Sequence, residues 1–600
     1  MTVASPGEQS GHLALQSDAD RHDVTEWERA AAAVLRKAHR LGESDPDALA
    51  WKKLGRTTLD GIEVPPLGVP RMLAELTTAG RPSRSGDWDV RVRVTGADGS
   101  EAALADLGSG ATSLWLALEE GTDPAGLLDG VPLDRTPVVL DVAGDPLPAA
   151  RALAALVDRL GVVPAAGTNL GGDPLGAAVR GRAGADVEVL PTLAELARAA
   201  GVRAAVVDAT AVHDLGASDA QELGYSMAVG AEYLRILAAA GMPVAEAAGL
   251  LEFRYAATDE QFLTIAKLRA ARRLWARVLE LSGVGERGQR QHAVTSRPMM
   301  SKYDPYVNML RTTVAAFAAG VGGADAVTVL PFDTPLGRPD AFGRRIAKNT
   351  SALLLAESHV GAVADPAGGS FSVERLTDDL ARAGWAELGR VEEAGGVRAA
   401  LADGSLRGRV EEVVAVRERE VATRRRPLTG LSEFPDLGEE LPVREPAGGG
   451  DEVRRYGASF EALRDDPVEQ RVFLATMGSV AKHTARATFA TNLLAAGGIA
   501  VDVAGATKGV DGVLAAYAGQ PVVCLAGTDP AYAEWGAPLV AALRGAGARR
   551  VVLAGKPGPT TVEGVDDSCA LGLDALAFLT RTRQALRSHR TERLEGEAQA

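Results

Sequence analysis

The sequence predicts an α/β protein built as a (β/α)8 barrel followed by a smaller, layered α/β domain. Three observations predict it. Short apolar runs recur from Ala111 to about Ala364, most of them alternating with Ala/Leu/Arg-rich helices. These runs are apolar throughout rather than alternating, the mark of parallel strands buried beneath helices on both faces. After a Pro-, Gly- and acid-rich stretch the alternation resumes between about Gln470 and Leu586. The first array spans ~280 residues, a length and unit count that favour a closed barrel over an open sheet.

Residues 1–22 are polar and Ser/Gly/Asp-rich, so disorder is expected there. From Val24 to Leu41 the spacing predicts an amphipathic helix with Trp27, Ala31, Val34, Leu35 and Ala38 along one stripe. An arm follows from Trp51 to Gly68, its Pro65-Pro66 favouring extended backbone. Strands are expected at Ser113–Leu118, Pro137–Val142, Val163–Gly167, Val187–Leu190, Ala204–Val207, Ala326–Leu330 and Val360–Ala364. Helices are expected at Leu147–Leu160, Leu193–Ala200 and Ala220–Ala240. Leu376 to Arg424 reads as a charged, solvated helical segment, and Pro427–Val453 as a linker. The last part offers strands at Val472–Thr476, Ile499–Val503, Pro521–Leu525 and Arg550–Leu553, a number that fits a flavodoxin-like sheet. The expected division is therefore tail, helix and arm over 1–68, barrel over 69–400, helical and linker segment over 401–465, and second α/β domain over 466–600.

With 600 residues and 46% apolar content, large cores can be buried. The net charge of −15 disfavours nonspecific binding to polyanions. Cys524 and Cys569 form no CxxC and read as buried thiols of a reducing compartment. The first dozen residues lack the charged and apolar regions of a signal peptide, and no run of ~18 apolar residues is present to span a bilayer, so a cytoplasmic protein is expected. There is no Walker loop, HExxH or GxSxG, and the eight histidines are never paired in metal-ligating register, so no metal site is expected.

The stretch Thr295–Gly323 joins a polar turn to a small-residue helix and then Gly322-Gly323. Its DPYVNMLRTT (Asp304–Thr313) resembles the acyl-CoA mutases that use adenosylcobalamin. LGASDAQELGYSMAVGAEYLR (Leu215–Arg235), IAKLRAARRLWA (Ile265–Ala276), RRIAKNTSALLLAES (Arg344–Ser358) and ADPAGGSFSVE (Ala364–Glu374) are similar to further stretches of that family, in the same order. The resemblance implies a barrel threaded by coenzyme A and a degenerate flavodoxin-like domain of the cobalamin-binding type. It also implies radical rearrangement of an acyl-CoA, with the cofactor doing the hard chemistry.

The family's functional positions are replaced. Its D-x-H-x-x-G cobalamin motif, registered on Met477-Gly478, falls on Val480, Lys482 and Ala485; His483 is one residue out. A valine cannot orient an imidazole, and a protonated lysine has no lone pair for cobalt. The nucleotide-pocket Gly-Gly becomes Ala554-Gly555. The barrel histidine that steers the migrating carbonyl falls at Ala211, with His213 two residues away, on the same face if the segment is a strand. The substrate-binding glutamine after Gly-Thr is missing near Gly167, with Arg180 or Arg182 as a displaced arginine. The aromatic-arm tyrosine is absent, leaving Trp88. His292 does register with a family histidine. No catalytic or cofactor residue is therefore expected in this chain, with His213 and His292 the nearest candidates. This pattern resembles the smaller, non-catalytic subunits of heterodimeric methylmalonyl-CoA mutases. The resemblance implies a large catalytic partner that holds the adenosylcobalamin, no nucleic-acid or membrane partner, and helix Val24–Leu41 as an arm around that partner. A mutase active alone through His483 and His213, or a module binding CoA esters, are the alternatives.

Overall fold

The computed structural model describes residues 23–74, 76, 84–182, 186–285, 287–447, 450–556 and 562–599, with 589–599 described by backbone alone. The tail expected to be disordered lies outside these residues. Eight parallel strands close into a barrel: β1 (Asp89–Thr95), β2 (Ser113–Glu119), β3 (Val138–Ala143), β4 (Asn169–Gly172), β5 (Arg203–Asp208), β6 (Leu251–Ala257), β7 (Gln291–Thr295) and β8 (Ala326–Thr328). They pair in sequence order, and β8 returns to β1 through Ala326↔Asp89.

Three expected strands are corrected. Val163–Gly167 is loop, and the strand comes later at Asn169–Gly172. There Gly171 passes so close to β3 that a Cβ would stand 1.9 Å from the Leu140 carbonyl oxygen. Val187–Leu190 is a turn feeding helix Leu190–Ala200, whose early Pro191 suits a first helical turn. Val360–Ala364 contains a single 3-10 turn after His359, which sits at positive φ. β1, β6 and β7 were not expected as strands. They carry Arg91, Arg93, Glu252, Arg254 and His292, so they do not read as apolar runs.

Buried ion pairs tie the helices to the barrel. Lys267, fully buried on helix Gln261–Leu281, bonds Glu222 at 2.6 Å and Asp219 at 2.8 Å, both on helix Asp219–Ala239. Arg269 reaches Glu374 at 2.6 Å on helix Phe371–Glu393. These are residues of the motifs quoted above, and their work is to join neighbouring helices.

The segment expected to be a solvated helix is corrected as well. Helix Ser405–Ala422 buries Leu406, Val410, Val414, Arg417 and Val421, a three-to-four-residue spacing hidden among its charges. Arg417 donates to the Gly216 carbonyl at 2.7 Å, and a Cβ on Gly216 would stand 2.5 Å from Val414.

The N-terminal helix runs Val24–Lys37, not to Leu41. Its buried stripe passes through Ala32 and Leu35 toward Leu41 and Ala50, while Val34 is 68% exposed and Ala38 faces solvent. Trp27 and Trp51 meet at 4.7 Å. This small cluster is separate from the barrel core.

The last part is a five-stranded parallel sheet: β9 (Val472–Thr476), β10 (Val501–Val503), β11 (Val522–Ala526), β12 (Arg550–Ala554) and β13 (Asp567–Cys569), in the order β10-β9-β11-β12-β13. That is the flavodoxin-like order, with its topological switch point between β9 and β11. Cys524 and Cys569 are buried and unpaired.

Candidate functional site

Active sites of this barrel type lie at the C-terminal ends of the strands, above the lumen. Here the lumen is full. Arg91 of β1 meets Glu252 of β6 at 2.6 Å, both side chains wholly buried, and Arg290 reaches the same carboxylate at 3.1 Å. One layer up, the Arg254 guanidinium lies 4.1 Å from the Trp115 ring centre, and Arg93 covers the same ring at 5.5 Å. Two guanidiniums held against one indole pack the lumen while gaining cation–π attraction.

The mouth is closed by alternating charges. Arg254 bonds Asp208 at 2.9 Å and Asp141 at 3.4 Å. Arg182 bonds Asp141 at 3.0 Å; Arg180 lies 3.2 Å from Asp208 and 3.7 Å from Asp214. The cations hold the Asp141 carboxyl far below the ordinary range against its burial, and the Asp141, Asp208, Asp214 and Asp451 carboxylates hold Arg180 charged. Asp173, beside Asp208 and capped by the Tyr233 hydroxyl at 2.7 Å, is pushed up to about 7 by burial and by that neighbouring charge. A cavity among Asp141, Asp173, Arg180, Arg182, Asp208 and Arg254 measures about 20 Å³, room for one or two water molecules.

Ala211 and His213 lie in a short helix, Thr210–Asp214, not on a strand. Two residues on a helix point to nearly opposite sides, so His213 does not share the face of Ala211. His213 instead bonds the Ser296 hydroxyl at 2.7 Å and has Glu222 Oε2 3.5 Å from its other nitrogen. The outline is that of an acyl-transfer triad. However, Ser296, His213 and Glu222 are all buried, and Glu222 is already bonded to Lys267 and the Ala256 amide.

His292 lies inside the barrel. Arg254 Nε donates to its Nδ1 at 3.2 Å, which assigns the proton to Nε2 and the hydrogen bond at 2.7 Å to Thr328 Oγ1. Burial and then the charges of Arg91 and Arg254 push its pKa well below the ordinary value, so it is a neutral donor. Trp88 is elsewhere altogether. It precedes β1 at the opposite end of the barrel and packs where a Cβ on Gly320 would stand 2.4 Å from its ring.

In the second domain, ligands of this sheet type bind at the strands' C-terminal edge, at the switch point. Helix Val480–Ala496 begins there. Val480 is 60% exposed, and Lys482 and Ala485 also face solvent. His483 is buried on the helix's inner side, its Nδ1 without a partner. Arg486 spans the edge: it lies 4.9 Å from the Tyr532 ring centre and donates to the Gly527 carbonyl at 2.8 Å. Tyr532 donates to the Ala554 carbonyl at 2.8 Å and accepts from the Gly527 amide at 3.0 Å, which ties β11 to β12. Among the described residues no group of three or more His, Cys, Asp or Glu is placed to hold a metal ion.

Sequence reasoning missed Asp141, Asp208, Asp214, Arg254, Arg297 and Asp451. The available signal was a charged residue near the C-terminal end of a strand, at Asp141, Asp208 and Arg254.

A closed parallel barrel with its site region at the strand ends, joined to a β10-β9-β11-β12-β13 sheet, defines a two-domain α/β chain of the acyl-CoA mutase type. A family model described as methylmalonyl-CoA mutase matches residues 94–509, and the chain belongs to that family. It is 47% identical to a methylmalonyl-CoA mutase small subunit of Streptomyces virginiae, over 93% of this chain and 96% of that one. A small subunit of the same name from Propionibacterium freudenreichii subsp. shermanii is 35% identical over 96% of each chain. The mitochondrial methylmalonyl-CoA mutase of Bos taurus is 35% identical, but over only 37% of this chain and 30% of that one.

Proposed function

We propose that this chain is the non-catalytic subunit of a heterodimeric methylmalonyl-CoA mutase. Its larger partner would bind adenosylcobalamin and interconvert (R)-methylmalonyl-CoA and succinyl-CoA in the cytoplasm. The observation that carries this reading is the filled lumen. A pantetheine arm threaded along the barrel axis would have to displace the Arg91–Glu252 pair and the Arg93–Trp115–Arg254 stack. Breaking one buried pair alone costs about 3–5 kcal/mol.

The cobalamin edge supports the same reading. A His-on cofactor needs an imidazole fixed by a hydrogen-bonded carboxylate at the edge of the sheet. The residues in register are Val480, Lys482 and Ala485, and the crevice beside them is spanned by Arg486 and Tyr532. These residues do not fit that cofactor, so no step of the reaction is assigned to this chain. Full-length relatives named small subunits favour a chain that works beside a large one.

The test is to produce this chain alone and together with a large mutase subunit. The chain alone should leave the adenosylcobalamin spectrum unchanged and turn over no methylmalonyl-CoA, while the co-purified pair should shift that spectrum and turn the substrate over. Turnover by the isolated chain with a His-on cobalamin spectrum would overturn the proposal.

A further inference from the structure

The mouth of the barrel holds one carboxylate that does not come from the barrel. Asp451 belongs to the segment between the two domains, yet its side chain is inserted among the arginines of the strand ends. Arg182 grips it with two nitrogens, Nε to Oδ1 at 2.8 Å and Nη2 to Oδ2 at 2.9 Å. Arg180 Nε stands 3.2 Å from Oδ2, and Arg297 Nη2 stands 3.4 Å from the same atom. Three guanidiniums on one carboxylate, one of them two-pronged, is the geometry that recognises a carboxylate ligand.

The backbone that follows is laid across the mouth. The Arg454 amide donates to the Asp214 carbonyl at 2.8 Å, and the Tyr456 amide to the Pro298 carbonyl at 2.9 Å. Arg454 is further held by Glu411 and by Glu452 at 2.9 Å. Asp451 adds a negative charge to a mouth crowded with arginines, Arg93 among them. Arg180, Arg182, Arg254 and Arg297 face Asp141, Asp208 and Asp214 from the barrel, and Asp451 supplies the fourth negative charge.

We propose that the barrel mouth is a receptor for a small carboxylate, occupied by the chain's own Asp451 as a tethered ligand. The segment around Asp451 is thereby a strap that closes the barrel and fixes the path of the chain into the second domain. With the strap in place Arg182 and Arg297 are hydrogen-bonded to Asp451 and Arg180 is paired with it by charge; with it displaced they keep their barrel aspartates but lose this carboxylate, leaving a place for a free mono- or dicarboxylate. A tethered group competes at an effective concentration in the millimolar range or above, so free carboxylates bind the intact chain poorly. The inference stands on Asp451 and its three arginines whether or not the chain serves as a supporting subunit.

The experiment compares the full-length chain with its Asp451→Ala and Asp451→Asn variants by calorimetric titration with succinate and with acetate, at ionic strength matched with chloride. Asp451→Ala should gain binding at least about tenfold tighter than the wild type. Asp451→Asn keeps the side chain's shape and should fall between. Variants that keep the wild-type circular dichroism and bind succinate no better than the wild type would overturn the proposal. If neither variant folds, amide exchange at Arg454 and Tyr456 in the wild type decides. High succinate should accelerate it relative to chloride, and equal rates in the two salts would overturn the proposal.

Discussion

Arg91 and Glu252 meet at 2.6 Å inside the barrel, from strands β1 and β6, with neither side chain exposed to solvent. Burial alone would drive the Glu252 carboxyl up, but the adjacent Arg91 and Arg290 guanidiniums hold it below the ordinary range. The pair is therefore charged, and each partner depends on the other. Glu252→Leu should leave the buried Arg91 without its close carboxylate partner and destabilise the fold by about 3–5 kcal/mol. The double variant Arg91→Met/Glu252→Leu should recover a substantial part of that loss, because a buried pair replaced by apolar side chains is often near neutral. Urea unfolding of both variants and the wild type checks this. A double variant no more stable than Glu252→Leu would show that the pair is not coupled.

Those same residues explain what was legible in the sequence. β2 and β5 are apolar runs and were readable as strands, and helix Leu147–Leu160 matches its expected bounds. β1 reads DVRVRVT, and its arginines suggest a surface strand until the opposing Glu252 and Trp115 are known. Partners 161 residues apart, as Arg91 and Glu252 are, leave no local signal. Asp451 was hidden for the same reason, since a linker of acids and glycines reads as solvent-exposed. His213 misled in another way: its assignment rested on strand parity, and the segment is a helical turn.

His292 gives the fold a pH dependence whose sign follows from its surroundings. Its imidazole is kept neutral by burial and by Arg91 and Arg254, so its folded pKa lies well below the ordinary value of 6.5. The unfolded chain takes up a proton below about 6.5 that the folded chain refuses. Stability from this group is complete above that pH and is lost on acidification at ~1.4 kcal/mol per pH unit, down to the folded pKa. Asp60 acts in the opposite sense, since burial and then Asp219 raise it to about 6. The contribution of His292 is isolated by difference with His292→Gln, which can still accept from Arg254 and donate to Thr328. Between pH 6 and pH 5 the wild type should lose ~1.4 kcal/mol more than the variant. Parallel urea curves at the two pH values would refute this.

The N-terminal helix rests on its own small cluster. Ala32 and Leu35 pack with Leu41 and Ala50, and Trp51 donates to Glu28 at 2.7 Å. The arm after it is anchored on the barrel, with Arg56 bonding Glu260 at 2.9 Å and Asp60 accepting from the Ala220 amide. Deleting residues 1–45 should therefore leave the main thermal transition within about 2 °C, because no barrel-core residue is removed. If the exposed Val34 face is the part that grips a large subunit, the same deletion should weaken co-purification with it. A deletion that binds the partner as tightly as the full chain would assign the contact elsewhere.

Tyr303 holds the junction between the two domains. The Arg464 guanidinium stacks on its ring at 3.9 Å, and its hydroxyl donates to Asp465 at 2.7 Å, beside Lys302 on the same carboxylate at 2.6 Å. Next to it the Asp304 amide donates to Glu439, and Arg311 donates to the Thr429 carbonyl at 2.7 Å, so the turn grips both the linker and helix Ala458–Asp465. The motif that marks the family thus works as a joint rather than as a catalytic loop. Tyr303→Ala removes a cation–π contact of about 0.5–2 kcal/mol and a charge-assisted hydrogen bond of about 1.5–3 kcal/mol. Each 1.4 kcal/mol of local opening raises the open population about tenfold, so limited proteolysis within residues 427–453 should accelerate by one to two orders of magnitude, roughly. Tyr303→Phe keeps the stacked ring and should show only a small part of that acceleration. Equal cleavage rates in wild type and Tyr303→Ala would mean that the joint is held by Arg311 and Asp304 without Tyr303.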